Sequence, residues 1–265
     1  MPPVCSALEN SFNVQPDLVM SETPPEHINK MDWRIQHLTW TTSPITDPAT
    51  GSVIPAEAPI VSAALIHHGK ERLGTTIPNA TALFLNLSQA SHAEARELLK
   101  RCIADKNKFG QLPDDEAFTF YERMMGSIVF ACTALEAFAN EQIPDSYTYT
   151  DSADKRFTRL FNKQQMERQL NLETKIGEII PAALGVRFPR GGKLWSAFIK
   201  LRDLRDRVIH MKTKDRQFIG ENATSIWNSL MSNPLPETHT TAKRIIGHFL
   251  QAKGDLPRWF EKCPF

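Results

Sequence analysis

The chain has 265 residues, of which 41% are hydrophobic and 23% are charged, so it has enough apolar side chains to form a substantial core. No apolar run approaches the roughly 20 residues that cross a bilayer. The N-terminal segment also lacks the basic stretch and apolar core of a secretory signal. These features argue against a membrane or secreted protein, and we expect a soluble protein of the cytoplasm.

Charge is unevenly distributed along the chain, although the formal net charge is only +1. Residues 1–150 carry 10 basic and 18 acidic side chains (net −8), residues 151–216 carry 16 and 8 (net +8), and residues 217–265 carry 5 and 4 (net +1). A chain of this kind can present a basic face to a polyanion. The alternative is that the acidic and basic segments pair with each other, and charge alone does not decide between the two.

Cysteine and histidine residues show no spacing typical of a metal site. Cys5, Cys102, Cys132 and Cys263 lie far apart, and the eight histidines include no His-Glu-x-x-His sequence. Cys102 and Cys132 fall among apolar residues of predicted helices, which favours core packing over nucleophilic catalysis. We therefore expect no metal and no cofactor.

The N-terminal region is predicted to be extended. The first 59 residues contain 9 of the 18 prolines, and proline opposes regular helix. We interpret residues 1–57 as a Pro-rich N-terminal arm, either docked or partly disordered. Within it, residues 31–35 alternate apolar and polar side chains, which allows one short strand.

Residues 58–113 are predicted to form an accessory helical segment. Ser91 is a suitable N-cap and Glu94 completes a capping box three residues later, which predicts a helix from Ser91 to Phe109. Gly110 ends it. We find no convincing run of strands here or elsewhere.

The clearest predicted helix begins after Pro113, where three consecutive acidic residues suit a helix N-terminus, and it ends before Pro144. Apolar residues recur along it at alternating three- and four-residue spacing, which predicts a buried stripe. The stripe comprises Phe118, Tyr121, Met125, Ile128, Cys132, Leu135 and Ala139.

Four further helices are predicted downstream, at about 153–169, 193–212, 222–232 and 238–253. Helices of this length with short connections favour an all-α fold, an antiparallel helical bundle formed by residues 114–265.

The helix predicted at 193–212 carries the candidate chemistry. At about 100° per residue, Leu194, Phe198, Leu201 and Val208 fall on one apolar arc, and Arg205 lies within that arc. A guanidinium is costly to bury without an anion. Either Arg205 has an internal carboxylate partner, or the arc faces a groove in which an anion binds.

His210 lies about 140° around the same helix from Arg205, so a site that uses both needs a break in the helix or two facing helices. Asp206 shares the face of His210 at four-residue spacing and can orient it. The alternative is that Asp203–Arg207 and Asp206–His210 are ordinary pairs on a solvated face.

The segment Arg205-Asp-Arg-Val-Ile-His210 resembles the signature of HEPN domains, in which an Arg and a polar residue are followed by a His after four to six intervening residues. An earlier helix adds to the resemblance. Its segment Ala134-Leu-Glu-Ala-Phe-Ala-Asn140 is similar to the Ala-Leu-Glu-x-x-x-Asn segment that faces the motif helix in many HEPN proteins. The resemblance covers roughly residues 114–254.

The resemblance implies a helical bundle that forms a homodimer and a metal-independent endoribonuclease of a toxin–antitoxin, abortive-infection or CRISPR-linked system. Arg205 and His210 would be catalytic, with Asp206, Glu136 and Asn140 in support. Glu136 can pair with Arg205 or lie at the edge of the bundle. RNA would be bound by the basic segment 187–216, which has 10 basic and 3 acidic residues. Its candidate RNA contacts are Arg202, Arg207, Lys212 and Lys214.

One residue departs from the family pattern. HEPN toxins that a nucleotidyltransferase partner neutralises commonly have a Tyr two residues after the His, and this chain has Lys212 there. An antitoxin or defence-system protein remains an expected partner, but that mode of control is not. Two other hypotheses stay open: a non-catalytic HEPN-like module that binds RNA or protein, and a helical interaction protein in which Arg205 forms a structural ion pair.

Overall fold

The structure, a computed structural model, describes residues 24–47, 50–104, 113–151, 158–216, 225–254 and 256–265. The chain divides into two compact units. One comprises Met1–Met31 and Thr39–Ile60, and the other comprises Asp32–Leu38 and Val61–Phe265. Most of the predicted arm at 1–57 belongs to the first unit, and its residues 1–23 lie outside the described residues.

The first unit consists mainly of short strands. It contains helix α1 (Glu26–Asn29), strand β2 (Ile45–Thr46) paired antiparallel with β3 (Val53–Ile54), and most of β1 (Leu38–Trp40) and its partner β4 (Pro59–Val61). Thr41 is buried, and its hydroxyl donates to Pro55 O at 2.7 Å and accepts from Ala58 N–H at 3.0 Å. One side chain thus satisfies two backbone groups in a segment with few ladder hydrogen bonds.

The second unit contains an exposed β-hairpin. Strands β5 (Ala63–His68) and β6 (Glu71–Thr76) pair antiparallel, and Gly69 takes a positive φ of 61° in the two-residue turn. Leu65, Ile66 and Leu73 remain 46%, 49% and 55% exposed. Neither face of the hairpin is therefore covered within the described chain.

The strands overturn the all-α prediction. The fold is mixed, with 56% helix and 14% strand in four small antiparallel sheets, including β7 (Tyr149–Asp151) with β8 (Arg159–Phe161). The accessory segment 58–113 is therefore not wholly helical. Its hairpin gave no alternating pattern because a strand alternates apolar and polar residues only when one of its faces is buried.

The rest of the unit is helical. Its helices are α2 (Ala80–Ala104), α3 (Asp114–Gln142), α4 (Lys163–Gln169), α5 (Leu172–Thr174), a π-helix (Lys175–Ile179), α6 (Ile180–Leu184), α7 (Lys193–Ile209), α8 (Thr213–Arg216), α9 (Ile226–Leu230), α10 (His239–Lys253) and α11 (Arg258–Glu261). No helix in the described ranges is long and apolar enough to cross a membrane.

Helix α3 is the centre of the core and contacts α2, α7, α9 and α10. Helix α2 runs antiparallel to it, because Glu94 pairs with Arg123 while the earlier Ser88 bonds the later Ser127. Helix α10 runs parallel to α3, because Ser127 contacts Thr238 and Phe138 stacks near Phe249. The bundle is therefore not uniformly antiparallel.

The helix predictions had mixed outcomes. Helices α3 and α10 are confirmed. Helix α2 begins at Ala80, where the Asn79 side chain accepts from Ala82 N–H at 2.9 Å, so Ser91 is not its N-cap. In the range 153–169, predicted as one helix, the structure has strand β8 followed by helix α4. Residues 152–157 lie outside the described ones. The stripe on α3 is buried from Ile128 onward, but Phe118 is 62% exposed.

Candidate functional site

Helix α7 contains Arg205 and ends immediately before His210, the second candidate catalytic residue. Gly192 precedes its first residue, and the helix stops at Ile209, three residues earlier than the sequence predicts. His210 is the C-cap, with φ −112° and ψ 55°, and its backbone N–H donates to Asp206 O at 2.9 Å. The helix break considered from the sequence therefore exists, but it comes only at His210 itself.

Arg205 lies beside Cys132 of α3, and among the described residues no carboxylate of α3 pairs with it. Its side chain is 29% exposed, while its Nε is buried and forms no hydrogen bond. The nearest carboxylate oxygen is Asp206 Oδ1, 3.2 Å from Nε. That distance is an ion-pair contact, but its geometry is not that of a hydrogen bond. Arg205 is thus a partly desolvated cation beside its own helical neighbour.

The thiol of Cys132 on α3 lies next to Arg205. Burial raises the pKa of the Cys132 thiol to about 12, and Arg205 opposes that rise through its positive charge and a side-chain hydrogen bond with the thiol. Asp206 and Glu136 act on the same thiol in the opposite direction. Cys132 is buried in the core, as the sequence predicts, and its raised pKa favours the protonated thiol.

Glu136 and Asn140 bind Lys175, a residue that sequence reasoning missed. Lys175 is fully buried at the start of the π-helix, and its Nζ donates to Glu136 Oε1, to Asn140 Oδ1 at 3.0 Å and to Glu167 O at 2.9 Å. An ammonium group has three donors, and all three are used. The two residues expected to support catalysis thus hold a buried lysine, and among the described residues Glu136 forms no ion pair with Arg205.

His210 is exposed and lines a pocket of about 520 Å³ with Asp203, Asp206, Arg207 and Lys212. Arg205 is not among the lining residues, so a single copy of the chain does not bring Arg205 and His210 into this pocket. Among the described residues, Asp206 forms neither a hydrogen bond nor an ion pair with the His210 ring, so its predicted orienting contact is not made.

Arg207 anchors the end of α7. Its guanidinium donates to Asp215 Oδ1 at 2.7 Å and to Ser229 Oγ at 3.2 Å. Asp215 is 1% exposed and also accepts from Ile226 N–H at 3.0 Å. Burial alone would raise the pKa of Asp215, but Arg207 and the backbone N–H groups outweigh it and lower that pKa. Arg207 therefore has a structural role beside the pocket.

The other candidate RNA contacts differ in availability. Arg202 pairs with Glu173 and also donates to Asp203 Oδ1 at 2.7 Å. Lys212 is exposed and lines the His210 pocket. Lys214 belongs to α8, and its side chain lies outside the described residues.

No group of three His, Cys, Asp or Glu residues in the described ranges is arranged to hold a metal ion. Comparisons of the chain with protein-family models, with curated proteins and with solved structures found no match. The HEPN resemblance accordingly rests on the motif residues themselves.

The arrangement offers two chemical functions at separate positions on one short segment. His210 offers an accessible imidazole for proton transfer, and Arg205 offers a guanidinium whose Nε has no hydrogen-bond acceptor. Between and around them lie further cations. These groups suit a phosphodiester substrate, whose cleavage needs proton transfer and stabilisation of charge on phosphate oxygens.

Proposed function

We propose that this chain is a metal-independent endoribonuclease of HEPN type that acts as a toxin or antiphage-defence effector. The proposal is carried by the presence of two groups at the end of α7. One is the exposed His210, and the other is Arg205, whose Nε is buried without a hydrogen-bond partner. The structural Arg207 also has an unbonded Nε, but its terminal nitrogens donate to Asp215 and Ser229. Among the described residues no carboxylate of α3 pairs with Arg205 in a comparable way. Glu136, the carboxylate that the sequence offers as a partner for Arg205, is bound to Lys175.

The reaction is an attack of the ribose 2′-hydroxyl on the adjacent phosphorus. The 2′-oxygen loses its proton as the new P–O bond forms, and the bond to the 5′-oxygen of the next nucleotide breaks. The products are a 2′,3′-cyclic phosphate and a 5′-hydroxyl. His210 moves a proton at one of these oxygens, because imidazole exchanges protons near neutral pH. DNA is not cleaved because it lacks the 2′-hydroxyl.

Arg205 acts on the phosphate itself. Its planar guanidinium can donate two parallel hydrogen bonds to non-bridging oxygens and stabilise the charge that grows on them during attack. The contact with Asp206 does not prevent this, because Asp206 is 48% exposed and can be solvated when Arg205 binds phosphate. A lysine would keep the charge but lose the two-point contact.

A homodimer brings Arg205 and His210 to one phosphate. They do not line a common pocket in one protomer, so a two-fold assembly that faces two copies of α7 would complete the site across the interface. Ile209, beside His210, is 49% exposed and is a suitable contact for such an interface. The expected partners are thus a second copy of the chain, an RNA substrate and an antitoxin or defence-system protein.

Incubation of purified protein with total RNA in EDTA tests the proposal. We expect fragments that carry 5′-hydroxyl and 2′,3′-cyclic phosphate ends, with an RNA oligonucleotide cut and the same DNA sequence intact. Fragments with 5′-phosphate ends, or cleavage that requires an added divalent ion, would refute this chemistry.

Mixing two inactive variants tests the composite site. A mixture of Arg205→Ala and His210→Ala chains forms some heterodimers, which retain one intact residue of each kind on opposite protomers. Partial recovery of cleavage is expected if the site is shared. Light scattering should show a dimer, and a monomer that cuts at the full rate would contradict the shared site.

A further inference from the structure

A second and larger cavity lies along α7. It has a volume of about 960 Å³ and is bounded by α7 on one side and by residues 228–241 on the other. It shares Asp203 and Arg207 with the His210 pocket, so the two depressions adjoin along the helix. None of the candidate residues identified from sequence accounts for this cavity, apart from Arg207 at its end.

Three basic residues line it at a seven-residue interval: Lys193, Lys200 and Arg207. Seven residues are close to two helical turns, so these side chains lie on one face of α7, roughly 10 Å apart along its axis. The row is roughly 21 Å long from Lys193 to Arg207, and the exposed His210 and Lys212 follow at its end.

The lysines are the uncompensated charges in this cavity. Asp203 is bound by Arg202, Glu237 lies 3.6 Å from Arg244, and Arg207 is bound by Asp215. Lys193 and Lys200 are exposed, and among the described residues neither forms a hydrogen bond or an ion pair. Two free ammonium groups in a concave surface attract an anion.

We propose that this cavity is a binding subsite for single-stranded RNA next to the cut, in which Lys193 and Lys200 contact successive backbone phosphates. This rests on the proposed function of His210. A polyanion with a charge at every nucleotide can contact cations that are spread along a helix, whereas a single small anion cannot reach both lysines and the His210 pocket. The cavity's volume leaves room for bases beside the phosphates.

Binding of a labelled single-stranded RNA to a His210→Ala background tests the subsite, because that chain leaves the RNA uncut. The double change Lys193→Ala with Lys200→Ala should weaken binding roughly 10- to 100-fold at low salt. It should also reduce the slope of log affinity against log salt by about 1.4, which corresponds to two lost phosphate contacts on a single strand.

The matched control is Lys70→Ala with Lys262→Ala. It removes the same charge from two other exposed lysines that, among the described residues, have no ion pair. It should leave affinity and salt slope close to those of the parent. Replacement of Lys193 and Lys200 by arginine should retain binding. If the alanine pair binds RNA as tightly as the control pair, the inference is overturned.

A filling variant separates the cavity from its surface charge. Ser196 is exposed and lines the cavity, so Ser196→Trp should block it without changing net charge and should weaken RNA binding. Unchanged affinity in Ser196→Trp would exclude the cavity as the subsite. If these variants lose RNA binding but the wild-type protein cuts no RNA, the subsite is retained and the proposed cleavage is rejected. If cleavage depends on His210 but these variants bind RNA as the parent does, the cleavage is retained and the subsite is rejected.

Discussion

Two cations that face helix α3 have opposite surroundings. Lys175 is fully buried and uses its three donors on Glu136, Asn140 and Glu167 O. Arg205 is 29% exposed, and its buried Nε has only an off-geometry contact with Asp206. The residue with complete hydrogen bonding is part of the scaffold. The residue without it is the one that can exchange its contact for a ligand.

Glu136 on α3 determines how the charge of Arg205 is compensated. It is the carboxylate of the Ala-Leu-Glu segment and affects the same Cys132 thiol as Arg205 does. Because Lys175 binds Glu136, Arg205 is not neutralised from α3. Lys175 thus leaves the Arg205 guanidinium without a carboxylate partner on α3. Substitutions at the Lys175–Glu136 pair and at Arg205 should therefore have unequal effects on stability.

The largest effect is expected from Glu136→Ala. It leaves the buried Lys175 ammonium with neutral acceptors alone, and breaking a buried pair in this way costs about 3–5 kcal/mol. Urea unfolding measures the change. The control is Lys175→Met, which removes the buried charge and leaves Glu136 with 36% of its side chain exposed, so its loss should be smaller. A loss below about 1 kcal/mol for Glu136→Ala would show that the pair does not stabilise the fold.

A moderate effect is expected from Asp215→Asn at the end of α7. The amide cannot pair with Arg207 ionically, and the loss should be about 1–3 kcal/mol at pH 7. The pKa of Asp215 is lowered in the folded state, so its stabilisation is present above its unfolded pKa and is lost as pH falls through the folded pKa. The difference between wild type and variant should therefore shrink in acid, and a difference that grows in acid would contradict the assignment.

Arg205→Ala should change the free energy of unfolding by about 0.5 kcal/mol or less, in either direction, because the carboxylate that Arg205 contacts, Asp206, is 48% exposed. A double-mutant cycle sharpens the comparison. The coupling energy between Glu136 and Lys175 should be large, and that between Glu136 and Arg205 should be small. The reverse ranking would mean that Arg205, not Lys175, is the structural partner of Glu136.

A separate effect, seen only on acidification, concerns His239 in the first turn of α10, which lies near the basic side chains of His92, Arg96 and Lys243. Burial, followed by the charges of His92, Arg96 and Lys243, lowers the pKa of His239 to about 4. The unfolded chain protonates this residue near pH 6.5, so it binds more protons between pH 6.5 and 4, and stability falls as pH falls through that window.

Unfolding by urea at pH 7, 5 and 4 tests this assignment. His239→Gln should lose less stability on acidification than wild type does, whereas the exposed-site control His37→Gln should follow wild type. Equal pH dependence in all three proteins would show that His239 is not responsible.

Sequence reasoning found the elements that have strong periodic patterns. Helices α3 and α10 were predicted because their apolar residues recur at helical spacing. The hairpin 63–76 was missed because both of its faces are exposed, which removes alternation, although its Gly69-Lys70 turn is a typical hairpin connection. Helix α2 was predicted too short because Ser91 resembles an N-cap while Asn79 is the residue that caps it.

The partners of the site residues were beyond sequence patterns. Lys175 and Glu136 are 39 residues apart, and no local spacing connects them. The available signal was a lysine placed within the apolar series Leu172, Ile176 and Ile179, all of which are buried. The pairing of Arg207 with Asp215 was missed similarly, because it depends on the chain reversing after His210.

The central claim is that Arg205 and His210 cut RNA while Lys175 holds Glu136. RNA cleavage by four proteins in EDTA tests its catalytic part most directly. Single-turnover rates would be measured for wild type, Arg205→Ala, His210→Ala and the exposed-arginine control Arg101→Ala. We predict a roughly 100- to 1,000-fold loss for Arg205→Ala, a roughly 100- to 10,000-fold loss for His210→Ala, and a wild-type rate for the control. Cleavage at the wild-type rate by either site variant, or no cleavage by the wild-type protein, would contradict the account.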